Sequence, residues 1–135
     1  MLSQVVTTDP VRSFNLPVDD MGRAVDFYSR VFGWSSEAIK GSGGEYHHAT
    51  TSVVDDDGVP LSKGAINGGL FKRGTHGIES AFLELEVDSI DDTVKKVLMN
   101  GGRIVREKRP MLDFAFFAIV QDSEGNCLGL MEYRK

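Results

Sequence analysis

The stretch Val87–Gly102, VDSIDDTVKKVLMNGG, decides the fold, because an earlier part of the chain repeats its pattern. Shifted back by 69 positions, Val87 falls on Val18, Asp88 on Asp19, Ile90 on Met21, Val94 on Val25, Val97 on Tyr28 and Gly102 on Gly33. Identities are few, but the apolar phase holds through the whole window. Each copy reads as an alternating strand that ends in Val-Asp and runs into a helix. A repeat of this length marks one supersecondary unit used twice.

Around the first copy, Phe14, Leu16 and Val18 alternate with Ser13, Asn15 and Pro17, the period-two pattern of a strand with one face on a core. This predicts a strand over Arg12–Val18. Asp20 is placed to cap a helix whose apolar residues Met21, Ala24, Val25, Tyr28, Val31 and Phe32 recur at three-and-four spacing until Gly33 ends it. Strands are then expected over Trp34–Ile39, Tyr46–Val54 and Ala65–Phe71, with turns at Gly41–Gly44 and at Asp55-Asp56-Asp57-Gly58. Lys72–Gly77, KRGTHG, is the linker expected between the copies. In the second copy Leu83, Leu85 and Val87 form the apolar face that packs on a helix, with Phe82, Glu84 and Glu86 opposite. Ser89 followed by Asp92 suits a capping box, and Ile90, Val94, Val97 and Leu98 stripe the helix up to Gly101-Gly102. Strands follow over Arg103–Glu107, Phe114–Gln121 and Cys127–Tyr133, and Asp122-Ser123-Glu124-Gly125 echoes the earlier acidic turn. Each unit is strand, helix and three strands. The chain is read as one domain over residues 1–135, with units at 12–72 and 80–133 and a leader over 1–11.

The net charge of −5 argues against nucleic acid and anionic membrane surfaces, since both reward a basic patch. Lys95-Lys96 and Arg103–Arg109 are basic but interrupted, and read as solvated faces. Cys127 is the only cysteine. No internal disulfide can form, so a reducing, cytoplasmic setting is expected. The N-terminus lacks a signal-peptide pattern, and no apolar run reaches the roughly 18 residues a membrane span needs.

Two βαβββ units, with DFYSRVFGW closing the first helix and DSEGNCLGLME near the C-terminus, resemble the vicinal oxygen chelate superfamily of glyoxalase, bleomycin-resistance and extradiol dioxygenase proteins. GAINGGLFKR resembles a glyoxalase-like single-domain branch of it. The resemblance covers residues 12 to 133 and implies an α+β fold. In it, a curled, mostly antiparallel sheet surrounds a cleft and the helices lie outside. It also implies a divalent metal held by four residues, one from the first strand and one from the last strand of each unit. The corresponding positions here are Ser13, Gly69, Phe82 and Gly129. None is an ordinary ligand for a hard or borderline cation, so no metal and no other cofactor is expected at that centre.

Strand parity extends this to a ligand-lining set. Ser13 and Asn15 face away from the first helix, Phe82 and Glu84 away from the second. Asn67 and Phe71 share the face of Gly69, and Cys127 and Met131 share that of Gly129. Glu84 is the candidate catalytic base, a carboxylate whose pKa would rise among apolar neighbours. His47 and His48 are adjacent, so on a strand they point to opposite faces; either one is a route by which a divalent metal could be recruited. His76 lies in the linker and reads as solvated. The leading expectation is a protein that binds a small organic molecule in the cleft without a protein-held metal. The competing expectation is a glyoxalase-like lyase, isomerase or epimerase using Glu84. An interaction module with a vestigial cleft is a third. A homodimer is expected, since small two-sheet proteins of this kind leave strand edges to cover.

Overall fold

The computed structural model describes residues 8–42 and 45–135. Most of the expected leader and half of the Gly41–Gly44 turn therefore lie outside the described residues. Residues 12–84 form one compact body; residues 85–135, with residues 8–11, form the other. The division falls inside the fifth strand, not in the Lys72–Gly77 linker.

In the first body the order of elements is β1 (Val11–Val18, from Arg12 on), α1 (Met21–Phe32), β2 (Ser35–Ala38), β3 (Tyr46–Thr50), β4 (Asn67–Lys72) and the start of β5 (Phe82–Glu86, up to Glu84). Hydrogen bonding runs β2-β3-β4-β1. β2 pairs with β3 and β3 with β4 antiparallel. β1 lies parallel to β4, with Asn15 opposite Gly69 and Leu16 opposite Leu70. Helix α1 starts where the sequence predicts: the Asp20 carboxylate accepts a hydrogen bond from the Arg23 N–H at 2.9 Å, satisfying one of the free donors of the first turn. It ends on Gly33 in the left-handed conformation (φ 74°), which a residue without Cβ adopts cheaply. Its apolar stripe, Met21, Ala24, Val25 and Tyr28, packs with Leu16 and Trp34 on buried Val18, Ala49 and Leu70. Burying an aliphatic side chain of this size contributes about 1.5–3 kcal/mol, so this face holds the body together.

The second body holds β5 (Phe82–Glu86, of which Leu85 and Glu86 belong here), α2 (Ile90–Met99), β6 (Arg103–Met111), β7 (Ala115–Gln121) and β8 (Cys127–Tyr133), hydrogen-bonded in the order β5-β8-β7-β6. The Ser89 hydroxyl caps α2 by accepting from the Asp92 N–H at 3.1 Å. Val87, Ile90, Ala118, Val120 and Leu130 are buried together, with Leu85, Val94 and Val97 packed against them. Each repeat is thus βαβββ, and the fold is α+β with a mixed sheet in which antiparallel pairing predominates. Among the described residues no helix is long and apolar enough to cross a membrane.

Several boundaries differ from the sequence reading. β3 stops at Thr50, and beyond it only an isolated bridge joins Val54 to Pro60. β4 starts at Asn67, two residues late. β6 runs on to Met111 through two register shifts, around Ile104/Arg106 and Arg106/Arg109. The linker holds a short 3-10 turn, Thr75–Gly77. Gly102 matches Gly33 in sequence, but Gly101 takes the left-handed conformation (φ 91°) after the shorter α2. Gly102 instead sits so tightly between Val97 and the Gln121 carbonyl that a Cβ there would clash.

The two acidic turns are copies in detail. The Asp55 carboxylate accepts from the Asp57 and Val59 N–H groups, both at 2.9 Å. The Asp122 carboxylate accepts from the Glu124 and Asn126 N–H groups at 2.8 and 2.9 Å. Those hydrogen bonds, together with one from the Asn126 side chain, hold the Asp122 carboxyl below the usual carboxylate range. Gly58 and Gly125 take positive φ at matching places. After the turn the copies part: Asn126 leads directly into β8, whereas residues 59–66 intervene before β4.

Candidate functional site

The chemistry of the first body gathers on the face of β1 and β4 that points away from α1. It starts with two adjacent glycines. Gly68 lies opposite Phe14 in the parallel ladder, and the Phe14 ring covers it so closely that a Cβ would collide with ring atoms. That contact is on the helix side, where Phe14 also meets Trp34 at 5.4 Å between ring centroids. Gly69 points the other way and is covered by Tyr46. A Cβ there would clash with the Tyr46 hydroxyl and ring. Side chains alternate along a strand, so GG lets one aromatic lie on each face of β4.

Tyr46 leads into a polar chain. Its hydroxyl donates to Asn15 Oδ1 at 3.3 Å, and Asn15 Nδ2 donates to Glu84 Oε2 at 3.0 Å. The Ser13 hydroxyl also hydrogen-bonds to the Glu84 carboxylate. Asn15 is the buried polar residue of the set, only 3% exposed, and both ends of its amide are used, as a buried amide requires. Asn15 and Glu84 are 69 residues apart, the offset of the repeat, so equivalent positions of the two first strands bond to each other. Beside them Phe71 and Phe82, both buried, meet edge to face with centroids 5.5 Å apart.

Burial raises the Glu84 pKa above its ordinary value, and the hydrogen bonds from Asn15 and Ser13 partly oppose the rise by stabilising the anion. Tyr46 is raised further above its own ordinary value, first by burial and then by the Glu84 charge. It is therefore a neutral phenol throughout the physiological range, a donor beside a carboxylate.

The structure brings together Ser13, Asn15, Gly69, Phe71, Phe82 and Glu84 in this body, six of the residues marked from the sequence. Three expectations change in detail. The space above Gly69 is filled by Tyr46, so it is not free volume for a ligand. Asn67 turns to the loop that precedes β4: its Oδ1 accepts from the Thr51 N–H at 3.0 Å and its Nδ2 donates to the Gly58 carbonyl at 3.3 Å. Leu83 does not pack as Leu85 does; it is 45% exposed. Cys127, Gly129 and Met131 belong to the second body, on β8, opposite Gln121, Ile119 and Phe117 of β7. Gly129 and Met131 are buried there and Cys127 is half-buried.

Tyr46 is the residue of this face that sequence reasoning missed. The two histidines beside it divide as expected. His47 shares the face of Ala49, which packs under α1, and its Nδ1 is buried without a hydrogen-bond partner among the described residues. His48 is exposed, opposite Gly69 and Glu37. Among the described residues no three His, Cys, Asp or Glu side chains group closely enough to hold a metal. The positions that the resemblance assigns to a metal do not fit one in this body: Ser13 is bonded to Glu84, Gly69 lies under Tyr46, and Phe82 packs on Phe71. Two surface hollows, about 150 and about 280 Å³, open at the β1–α1 corner beside Val18 and Asp19, away from the polar chain.

Paired βαβββ repeats are the architecture of the vicinal oxygen chelate class. The chain belongs to the Glyoxalase/Bleomycin resistance protein/Dioxygenase superfamily, whose profile matches residues 10–130. It is 27% identical over 130 residues to the lactoylglutathione lyase of Escherichia coli O157:H7, covering 87% of each protein. It is 26% identical over 121 residues to the glyoxylase-like protein CFP32 of Mycobacterium bovis. That match takes in 87% of this chain but 43% of the relative, so the chain spans less than half of CFP32. Among solved structures, methylmalonyl-CoA epimerase from Mycobacterium tuberculosis superposes with a TM-score of 0.58 at 17% identity, over 100% of this chain and 94% of that one.

Proposed function

We propose that the protein binds a small organic molecule, uncharged or cationic, over the face formed by Asn15, Tyr46, Phe71, Phe82 and Glu84, without a metal held by the protein. The observation that carries this is the Tyr46–Asn15–Glu84 chain lying beside the Phe71–Phe82 pair. Apolar surface for affinity with a few converging polar groups for orientation is the composition of a small-molecule site. The surrounding groups bear on charge: a half-buried carboxylate disfavours a second anion and favours a cation or a neutral donor. Ser13 and Gly69 complete the face. A thermal-shift screen of metabolites and divalent ions on wild type and Glu84→Gln tests this, since a ligand of the native state raises its apparent stability. A hit whose shift is reduced in Glu84→Gln supports the reading; stabilisation by divalent ions alone would refute it.

One observation favours a second reading, an enzyme of the lyase, isomerase or epimerase kind. Burial raises the Glu84 pKa, which moves it towards the range where a carboxylate is a useful general base at neutral pH. Relatives of this chain are named as a lyase and, by fold alone, an epimerase. Glu84-dependent exchange of an α-hydrogen for solvent deuterium in a carbonyl substrate would separate this from binding alone. A cytoplasmic homodimer is the assembly proposed, with β2 and β6 as the strand edges that a second copy can cover.

A further inference from the structure

Residue 69 is where the superfamily resemblance calls for a metal-holding side chain, and Tyr46 occupies the space that side chain would take. A metal ion in such a place accepts electron density from a ligand oxygen. A phenolic hydroxyl can meet the same oxygen with a hydrogen bond and no formal charge. Tyr46 suits that task. Burial and the neighbouring Glu84 carboxylate keep it protonated. Its bond to Asn15 Oδ1, at 3.3 Å, is long for an O–H donor, which ordinarily sits 2.5–3.0 Å from its acceptor. A better-placed ligand oxygen could therefore take that hydrogen. Asn15 would keep its stronger bond to Glu84, at 3.0 Å.

We propose that the Tyr46 hydroxyl is the ligand-recognising donor of this face, in the place of a metal, and that it selects uncharged compounds carrying a carbonyl oxygen on an apolar body. The apolar body would approach the face beside Phe71 and Phe82, whose buried edge-to-face pair borders the polar chain. Carboxylates are disfavoured because Glu84 already places a charge there. This rests on the reading of the face as a small-molecule site, and narrows it to one donor and one ligand class.

Three probes of one size test it: acetophenone, benzoate and benzylammonium share a ring and differ in the head group. Binding is followed by ¹H–¹⁵N NMR at the Asn15 side-chain amide and the Gly69 N–H. Tyr46→Phe keeps the ring on Gly69 and removes only the hydroxyl, and its thermal melt checks that the fold is kept. Acetophenone is expected to shift both signals, with an affinity about five- to tenfold weaker in Tyr46→Phe, the scale of one neutral hydrogen bond. Benzoate is expected to leave both signals in place. Equal acetophenone affinity in the two proteins overturns the inference, as does benzoate binding as tightly as acetophenone. Benzylammonium binding that is lost in Glu84→Gln, with no acetophenone binding, overturns the Tyr46 assignment while the small-molecule site stands. If none of the three moves either signal, the inference falls, and the broader reading is decided by its own metabolite screen.

Discussion

Gly69→Ala perturbs the point where the chain's backbone and its polar face meet most closely. A Cβ at residue 69 would stand 2.5 Å from Tyr46 Cζ and 2.8 Å from Cε1, and would overlap the hydroxyl. Ordinary carbon contacts are about 3.5–4.0 Å, so the ring must retreat by roughly 1 Å. Overpacking of that kind costs about 1–3 kcal/mol, and the displaced hydroxyl gives up its bond to Asn15, worth about 1 kcal/mol net. Against this, alanine restricts the unfolded chain and stabilises by about 0.4–1 kcal/mol where the backbone tolerates it. Gly69 sits in extended β4 without positive φ, so the backbone does tolerate it. The expected net loss is about 1–3 kcal/mol. In a Tyr46→Ala background the clash is gone, and the same substitution should be neutral or stabilising by up to about 1 kcal/mol. A double-mutant cycle should therefore return a coupling of about 2–3 kcal/mol between residues 46 and 69. Urea denaturation of the four proteins measures it, provided that the m-values stay constant. Gly69→Ala that is as harmful without the tyrosine as with it, or that stabilises the wild type, would refute the close approach.

Glu84→Gln should raise the melting temperature at pH 7. The raised pKa means that the folded protein holds this proton above the pH at which the unfolded chain releases it, so stability from this group is full below about 4.5 and falls as pH rises through the folded value; the melting-temperature gap between variant and wild type should open from pH 4.5 upward, and a constant gap would exclude Glu84 as its source. Asp20→Ala and Ser89→Ala each remove a helix cap and should cost about 1 kcal/mol in denaturant melts, with the effects additive because the caps serve separate helices. Asn67→Ala should speed hydrogen exchange at the Thr51 amide by removing its acceptor, while the Asn15 side-chain amide signals stay in place; movement of those signals would tie the 51–66 loop to the polar face.

The parity of β1 was legible because Phe14, Leu16 and Val18 alternate without interruption, and one buried face fixes the register of a strand. That placed Ser13 and Asn15 correctly. The repeat offset then carried the same logic to Phe82 and Glu84, and the bond between Asn15 and Glu84 joins positions the offset had already made equivalent. Tyr46 was not legible in this way. An aromatic in a β-rich run reads as strand propensity, and its contact with Gly69 is a leaning across the ladder: Tyr46 is registered with Phe71, while His48 is registered with Gly69. Asn67 was misjudged for a related reason. Parity places a side chain on a face, but the unpaired Thr51 N–H and Gly58 carbonyl of the loop draw the amide to themselves.

The double glycine was the signal that could have found Tyr46. Glycine weakens a strand, since it adds unfolded-state entropy and contributes no side chain to pack. Two in succession, in a strand buried from Gly68 to Phe71, call for a compensating contact on each face. The helix-side contact is Phe14, itself apolar and placed by the alternation of β1, so its partner on the opposite face should be the next aromatic within reach of the neighbouring strand. Tyr46, at the start of β3, is that residue. The polar chain then follows from ordinary satisfaction of hydrogen bonds: a hydroxyl brought over Gly69 faces Asn15, its ladder partner, and Asn15 passes its remaining donor to Glu84. A steric requirement of β4 thus determines which groups meet on this face, and a phenolic hydroxyl lies over the glycine at which the resemblance alone implies a metal-holding side chain.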